Sequence, residues 1–479
     1  MGKLYIFGIG GTGSRVLKSL TMLLASGVEI NADEIVPIII DPDHAAADLT
    51  RTVKLLQDYA KIRSNIDFNS ETENKFFGTK INLNIVPQVV MPLQNTQNKK
   101  FKDYIGYDTL PMGGANQALA SMLFSQKNMD ADMEVGFKGN PNIGSVVLNQ
   151  FQDSVVFKNI VSSFKQGDRI FVISSIFGGT GASGFPLLVK NLRAVSNTTS
   201  GSGNVKDAPI GAVTVLPYFD LKPSVDSEID ASTFVAKTRA ALTYYDKNLN
   251  ETNYLYYVAD NITKQYENID GGMGQKNDAH FIELVSALSI IDFMKKSDDD
   301  LIVKNGIPTN QYFMEYGIKA NVPQILFKDL SDQTNSLIKK PLTQFVLFGK
   351  FLKDELGNSL KQPWAIDLGI DDNFKQSNFY SKLKEFFLKP DDSFFAWLTE
   401  MARNERSFCP FELDISRDKL FHLVKGLEPA KVLSFDSNYN LYNSYLNDEK
   451  QTKSATKEHS FIELFYKATK KATEKKLRM

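Results

Sequence analysis

The chain has 479 residues, 42% of them hydrophobic, which is enough for at least one large core and, by length, for two. Its 55 basic and 56 acidic residues leave a formal charge of -1, which excludes the global positive field of a non-specific nucleic-acid binder and makes any charge logic local. One cysteine, Cys409, excludes an internal disulfide and a cysteine-cluster zinc site, and the four histidines, His44, His280, His422 and His459, are scattered.

No secretory-leader pattern opens the sequence and no apolar run is long enough to span a bilayer, so the expected setting is cytoplasmic. From Met1 to about residue 295, strand-length apolar runs alternate with helical spacing, which predicts an α/β fold with a mostly parallel sheet covered on both faces. The strands are "KLYIFGI", "IVPIIID", "RIFVISS", "IGAVTVLPY" and "NYLYYVAD". Helices follow the first four, as "SRVLKSLTMLL", "HAAADLTRTVKLLQDY", "FPLLVKNLRAV" and "STFVAKTRAALTYYDK". Residues 60–135 are polar and Asn-rich and read as an insertion at the sheet edge, and residues 196–207, "SNTTSGSGNVKD", as a surface loop. Residues 296–479 form a second, helix-rich domain of α+β or helical type with aromatic segments such as "FFAWLTEMARNERSF". It ends on a basic helix where Lys467, Lys470, Lys471, Lys475, Lys476 and Arg478 flank Phe461, Leu464 and Phe465, either a solvated helix end or a docking face.

Two strand-to-helix turns are rich in glycine: Gly8-Ile9-Gly10-Gly11-Thr12-Gly13, and "SSIFGGTGASGFPLL" with Gly178, Gly179, Gly181 and Gly184. Such turns let the backbone approach an anion while unpaired amides and the helix dipole attract its charge. The first turn alone fits a dinucleotide site, with Asp41 on the ribose, or an adenylating enzyme; "GIGGTGSRV" followed by "IIIDPD" resembles the start of the ubiquitin-activating-enzyme-like adenylyltransferases. Neither requires the second turn, whereas a triphosphate held from two sides does.

Together the motifs resemble those of the tubulin and FtsZ superfamily of GTP-binding, polymer-forming proteins. Its signature phosphate loop is similar to "FGGTGASG", with Gly178, Gly179, Thr180, Gly181, Ala182 and Ser183 in the matching places and Phe177 where the pattern has glycine. Gly10, Gly11, Thr12 and Gly13 match the first phosphate loop, and Gly139 and Asn140 of "KGNPNIGS" match the loop that reaches the terminal phosphate. "QKNDAHFIELVSALSII" resembles the start of the central helix, here about 277–295, so the resemblance implies Asn277 and Asp278 as guanine contacts, with Asn261 as a further base reader and Asp220 near the ribose. Asp41 and Asp43 would hold Mg2+ or its waters, or form a turn with Pro42. The implied fold is a Rossmann-like GTPase domain over residues 1–295 joined by a central helix to the second domain. The implied cofactors are GTP or GDP with Mg2+, and the implied partner is another copy of the chain.

The family completes hydrolysis with spaced acids from the next subunit on a loop after the central helix. Here that region reads "DFMKKSDDDLIVKNG", without that spacing, and offers Asp298, Asp299 and Asp300 as catalytic acids or as solvated surface. The alternatives carried forward are a slow GTPase that forms filaments, a scaffold whose nucleotide is never turned over, and an enzyme using NAD or ATP at the first turn alone.

Overall fold

A computed structural model describes residues 2–68, 72–109, 113–133, 137, 139–196, 199–221, 231–260, 265–266, 277–316, 322–430, 438–449 and 456–479. Six strands form one fully parallel sheet: β1 Leu4–Ile9, β2 Ile35–Ile40, β3 Arg169–Ser175, β4 Ile210–Val215, β5 Tyr254–Val258 and β6 Tyr312–Tyr316. Their spatial order is β6-β5-β4-β3-β1-β2. Strands β1, β2 and β4 are buried at every position, as continuous apolar runs require when helices cover both faces.

The helices that follow are α1 Gly10–Ala25, α2 Ala47–Arg63, α3 Pro141–Leu148, α4 Gly179–Arg193, α5 Ala231–Asn248 and α6 Phe281–Met294. The predicted central helix is α6, which packs on β4 and β5 and against α1. Sequence reasoning missed β6: the sheet continues past residue 295, because "YFMEY" pairs in register with β5, Tyr312 against Tyr254. The polar insertion lies along the β2 edge through bridges from Ile35 to Ile81 and from Ile39 to Val90. The expected surface loop at 196–207 contains a helical turn, Ser202–Lys206, fastened by the buried Val205.

Beyond the sheet come α7 Asp332–Asp354, α8 Asn378–Leu388, α9 Phe394–Arg403 and α10 Lys457–Lys475, with shorter helices between them. Phenylalanines hold them together. Phe345 of α7 packs 4.4 Å from Phe387 and 4.8 Å from Phe394, and Phe348 lies 4.7 Å from Phe465 of α10. Aromatic pairs at these separations add about 0.5–1.5 kcal/mol each beyond the area they bury. Phe76 and Phe77 of the insertion join the same cluster, so one apolar core runs through both halves. The apolar stripe of α10 is buried in it. Three of its lysines are engaged as well, Lys467 with Glu463, Lys470 with Glu73 and Lys471 with Asp448, so the apolar stripe of this helix serves the core and is not a docking face. Cys409 is buried beside Phe408 and Phe411.

Candidate nucleotide site

Strand order reverses between β1 and β3: from β1 the chain passes to β2 on one side, and β3 lies on the other. In open α/β sheets the crevice outside the carboxyl ends at such a reversal is where ligands bind. Both glycine turns fall there. α1 starts directly on the end of β1, and α4 starts four residues after Ser175 closes β3.

The two turns touch. Gly10 has a φ of +68°, which favours glycine, and a Cβ built on it would lie 3.6 Å from Thr180 Cβ. The third loop closes against the second, since a Cβ at Gly179 would stand 3.0 Å from the amide nitrogens of both Gly139 and Asn140. Three helices, α1, α3 and α4, therefore begin within one small region. At the positions that precede them stand Ile9, Asn140 and Gly178, and none provides a side-chain cap hydrogen bond. The first amides of a helix have no partner inside it, so amides without a cap remain available to an anion, with the helix dipoles adding to the attraction. The close approach of Gly13 to Gly8, with a built Cβ only 2.3 Å from the Gly8 carbonyl carbon, sets α1 down hard on its strand.

Beside this cradle lies a buried ionic cluster. Arg15 of α1 donates through Nε to Glu283 Oε1 (2.6 Å), through Nη1 to Asp48 Oδ2 (3.0 Å) and through Nη2 to the Tyr218 hydroxyl (3.1 Å). Asn277 donates its amide Nδ2 to the same Asp48 oxygen at 2.9 Å. Arg51 pairs with Asp392 and with Glu400 Oε1, and Lys18 Nζ donates to Glu400 Oε2 at 2.9 Å. That same Glu400 oxygen accepts from the backbone amide of Ala279 (3.0 Å). A carboxylate of α9 thus ties α1, α2 and the entry to α6 together. The sequence signal for this cluster was available and unread: Arg15 and Lys18 interrupt the apolar stretch of α1 one turn apart.

Several predicted residues have structural duties here. Asp41 Oδ1 accepts from the Asp43 amide (3.0 Å) and Asp43 Oδ1 from the Ala45 amide (3.1 Å), which is the turn around Pro42. Burial, with the charge of Asp43 and Asp48 added to it, pushes the Asp41 carboxyl up to about 7. Ser183 donates to the Gly179 carbonyl one turn back in α4 (2.7 Å), with its hydroxyl against Gly144 of α3. Ala182 is buried, and Phe177 packs on Tyr218 and Phe219 beside the loop. Asp278 is exposed at the entry to α6. Asp220 begins a two-residue strand paired with Gln265–Tyr266, and Asn261 lies outside the described residues.

Asp298, Asp299 and Asp300 are not in this crevice. Asp298 pairs with Arg169 Nη2 (2.8 Å), which opens β3 at the end of the sheet opposite the glycine turns. α6, 14 residues or about 21 Å long, separates the two ends. Asp300 accepts from Ser297 Oγ (2.7 Å).

Solved structures of CetZ and FtsZ proteins are similar to this chain. CetZ from Methanosaeta thermophila matches at 14% identity and a TM-score of 0.33, over 63% of this chain and 58% of that one. CetZ2 from Haloferax volcanii, in a GTPγS-bound protofilament, matches at 14% identity and a TM-score of 0.30, over 61% and 58%. An FtsZ mutant from M. jannaschii matches at 14% identity and a TM-score of 0.27, over 54% and 46%. The match therefore spans less than two thirds of each of these CetZ and FtsZ chains. No family pattern and no curated protein matches the sequence.

The donor set suits phosphates: glycine amides in three converging turns, packed so closely that a Cβ at Gly179 would crowd the Gly139 and Asn140 amides. It suits a tightly held cation less well. Among the described residues no three carboxylate, histidine or cysteine side chains gather as a metal site, and Asp41 and Asp43 face their own turn. Among the same residues no helix is long and apolar enough to cross a membrane.

Proposed function

We propose that this chain is a tubulin/FtsZ-like guanine-nucleotide-binding protein of the cytoplasm that self-associates head to tail. The observation that carries the reading is the meeting of three helix starts without side-chain caps, those of α1, α3 and α4, at the reversal point of a parallel sheet. In this reading the phosphates of GTP or GDP lie across Gly10, Gly11, Thr180 and Gly179. The base lies toward the entry of α6, where the exposed carboxylate of Asp278 accepts from the N–H edge of guanine. Head-to-tail contact is heterologous and gives filaments when the rotation does not close.

The deciding experiment is to denature the purified protein, identify any nucleotide released, and measure binding of GTP, GDP, ATP and NAD to the wild type and to Gly179→Trp. Guanine nucleotide bound by the wild type and lost in the variant is the expected result. Adenine nucleotide retained in the variant would move the site to the first turn and favour the adenylating or NAD-dependent reading.

A second reading, a nucleotide-bound scaffold without turnover, is favoured by the loop after α6, where Asp298, Asp299 and Asp300 lack the spacing of acids that act across a subunit contact. Phosphoryl transfer needs a positioned water and stabilised charge, and Asp298 to Asp300 stand at the far end of α6 from the glycine turns, with Asp298 held by Arg169 and Asp300 by Ser297. In a single copy they cannot reach the nucleotide. Phosphate release that rises with protein concentration and is abolished by replacing Asp298 to Asp300 would reject the scaffold and establish hydrolysis across a subunit contact.

A further inference from the structure

Resting on the nucleotide reading above, we infer that Lys237 of α5 is a positioning residue that makes the site discriminate a triphosphate from a diphosphate. The elements of the crevice have an order. Asn277 is bound to Asp48, Asp48 to Arg15, and Arg15 Nη1 lies 3.5 Å from a Cβ built on Gly11. Gly10 then meets Thr180, and Gly179 meets the Gly139–Asn140 turn. Lys237 Nζ donates to the carbonyl oxygen of Gly139 at 2.6 Å, so it stands at the end of this series farthest from Asn277 and Asp278.

A nucleotide whose base lies near the entry to α6 directs its last phosphate toward that end. The Gly139–Asn140 turn is the wall it meets there. Gly139 itself has a φ of +70°, a conformation that side chains rarely support, and the Asn140 amide is held by the Phe137 carbonyl (2.7 Å). The half-buried ammonium fixes the Gly139 carbonyl of this turn by a charge-assisted hydrogen bond, and brings α5 onto it. It also places a positive charge beside the position where a third phosphate adds negative charge and a diphosphate adds none. The sequence gives no hint of this, because Lys237 is 98 residues from Gly139 in the chain and sits in a helix with no glycine motif.

The test is equilibrium binding of GTP and GDP to the full chain in four forms: wild type, Lys237→Met, Lys237→Arg and Gly179→Trp, with thermal unfolding of each. The expected result is GTP binding about 10-fold weaker in Lys237→Met, the size of one lost charge-assisted hydrogen bond, with GDP binding within about twofold of wild type. Lys237→Arg keeps a cation on the same stem and is expected to recover most of the GTP affinity. Equal weakening of GTP and GDP, or failure of arginine to restore the difference, would reduce Lys237 to a fold contact and overturn the inference. So would unchanged GTP binding in Lys237→Met. Wild type that binds neither nucleotide, or a Gly179→Trp variant that binds both as well as wild type, would overturn the nucleotide reading itself and this inference with it; wild type and Gly179→Trp report on the site, and the two Lys237 variants on Lys237.

Discussion

The helices at the glycine turns and the long helices of the second half begin in opposite ways. In the second half, Ser331, Ser377, Ser393 and Thr456 each place a side-chain oxygen on the amide three residues on, at the starts of α7, α8, α9 and α10. In the first, α1, α3 and α4 begin after Ile9, Asn140 and Gly178 with no such bond. A cap is worth about 1 kcal/mol to the helix that owns it. Helices that forgo it at one shared point keep their donors for something that is not protein, whereas helices that take it have only structure to serve. On the proposed reading, the difference separates the nucleotide cradle from a scaffold within one continuous core.

That contrast can be broken most directly at Gly179. Gly179→Trp drives a ring into the contact between α4 and the Gly139–Asn140 turn and is expected to weaken nucleotide binding by more than about 100-fold, with circular dichroism read beside it to check that the helices and sheet remain. Gly178→Asp sharpens it: a carboxylate at the start of α4 takes the free amides for itself and repels phosphate, so binding falls about as far while stability in urea stays within about 1 kcal/mol of wild type. If nucleotide still bound the Gly178→Asp protein, the uncapped helix starts would not be the site.

The junction between the halves is the next target. Glu400→Ala leaves the buried Lys18 without its carboxylate and Arg51 with Asp392 and Asp48 alone, and chemical denaturation is expected to show a loss of about 3 kcal/mol. The Asp41 turn gives a smaller, pH-dependent effect. Its folded carboxyl titrates at about 7 and its unfolded one near 4, so the native state holds the extra proton and stability falls as pH rises between those values, then levels off. Asp41→Asn keeps the acceptor for the Asp43 amide and is expected to flatten that slope, gaining on the order of 2 kcal/mol at pH 8 in urea titrations. The smallest change is Ser377→Ala. It removes one cap from α8 and is expected to cost about 1 kcal/mol while leaving nucleotide affinity untouched.

How much of this was legible in the sequence varied with the range of the interaction. Five of the six strands and the helices after four of them follow from apolar periodicity, which is local. β6 did not, since five residues of mixed pattern become a strand only by pairing with Tyr254–Val258. The glycine turns were legible as turns because glycine marks backbone that must approach something closely. Ser183 has the same neighbours in sequence, yet its hydroxyl is spent on the Gly179 carbonyl one turn back in its own helix.

The sequence by itself determined an α/β protein with two glycine-rich strand-to-helix turns, a third turn at Gly139, and an aromatic, helix-rich second half, because periodicity, turn chemistry and composition act over a few residues. Only the tertiary structure decided that the three turns meet, that Arg15, Asp48, Arg51 and Glu400 share one buried cluster, that Lys237 reaches Gly139, and that Asp298 lies at the far end of α6. Those facts depend on strand order and helix crossing. They join residues tens to hundreds of positions apart, whose pairing leaves no periodic trace in the chain because each contact is selected by the packed core and not by its neighbours in sequence.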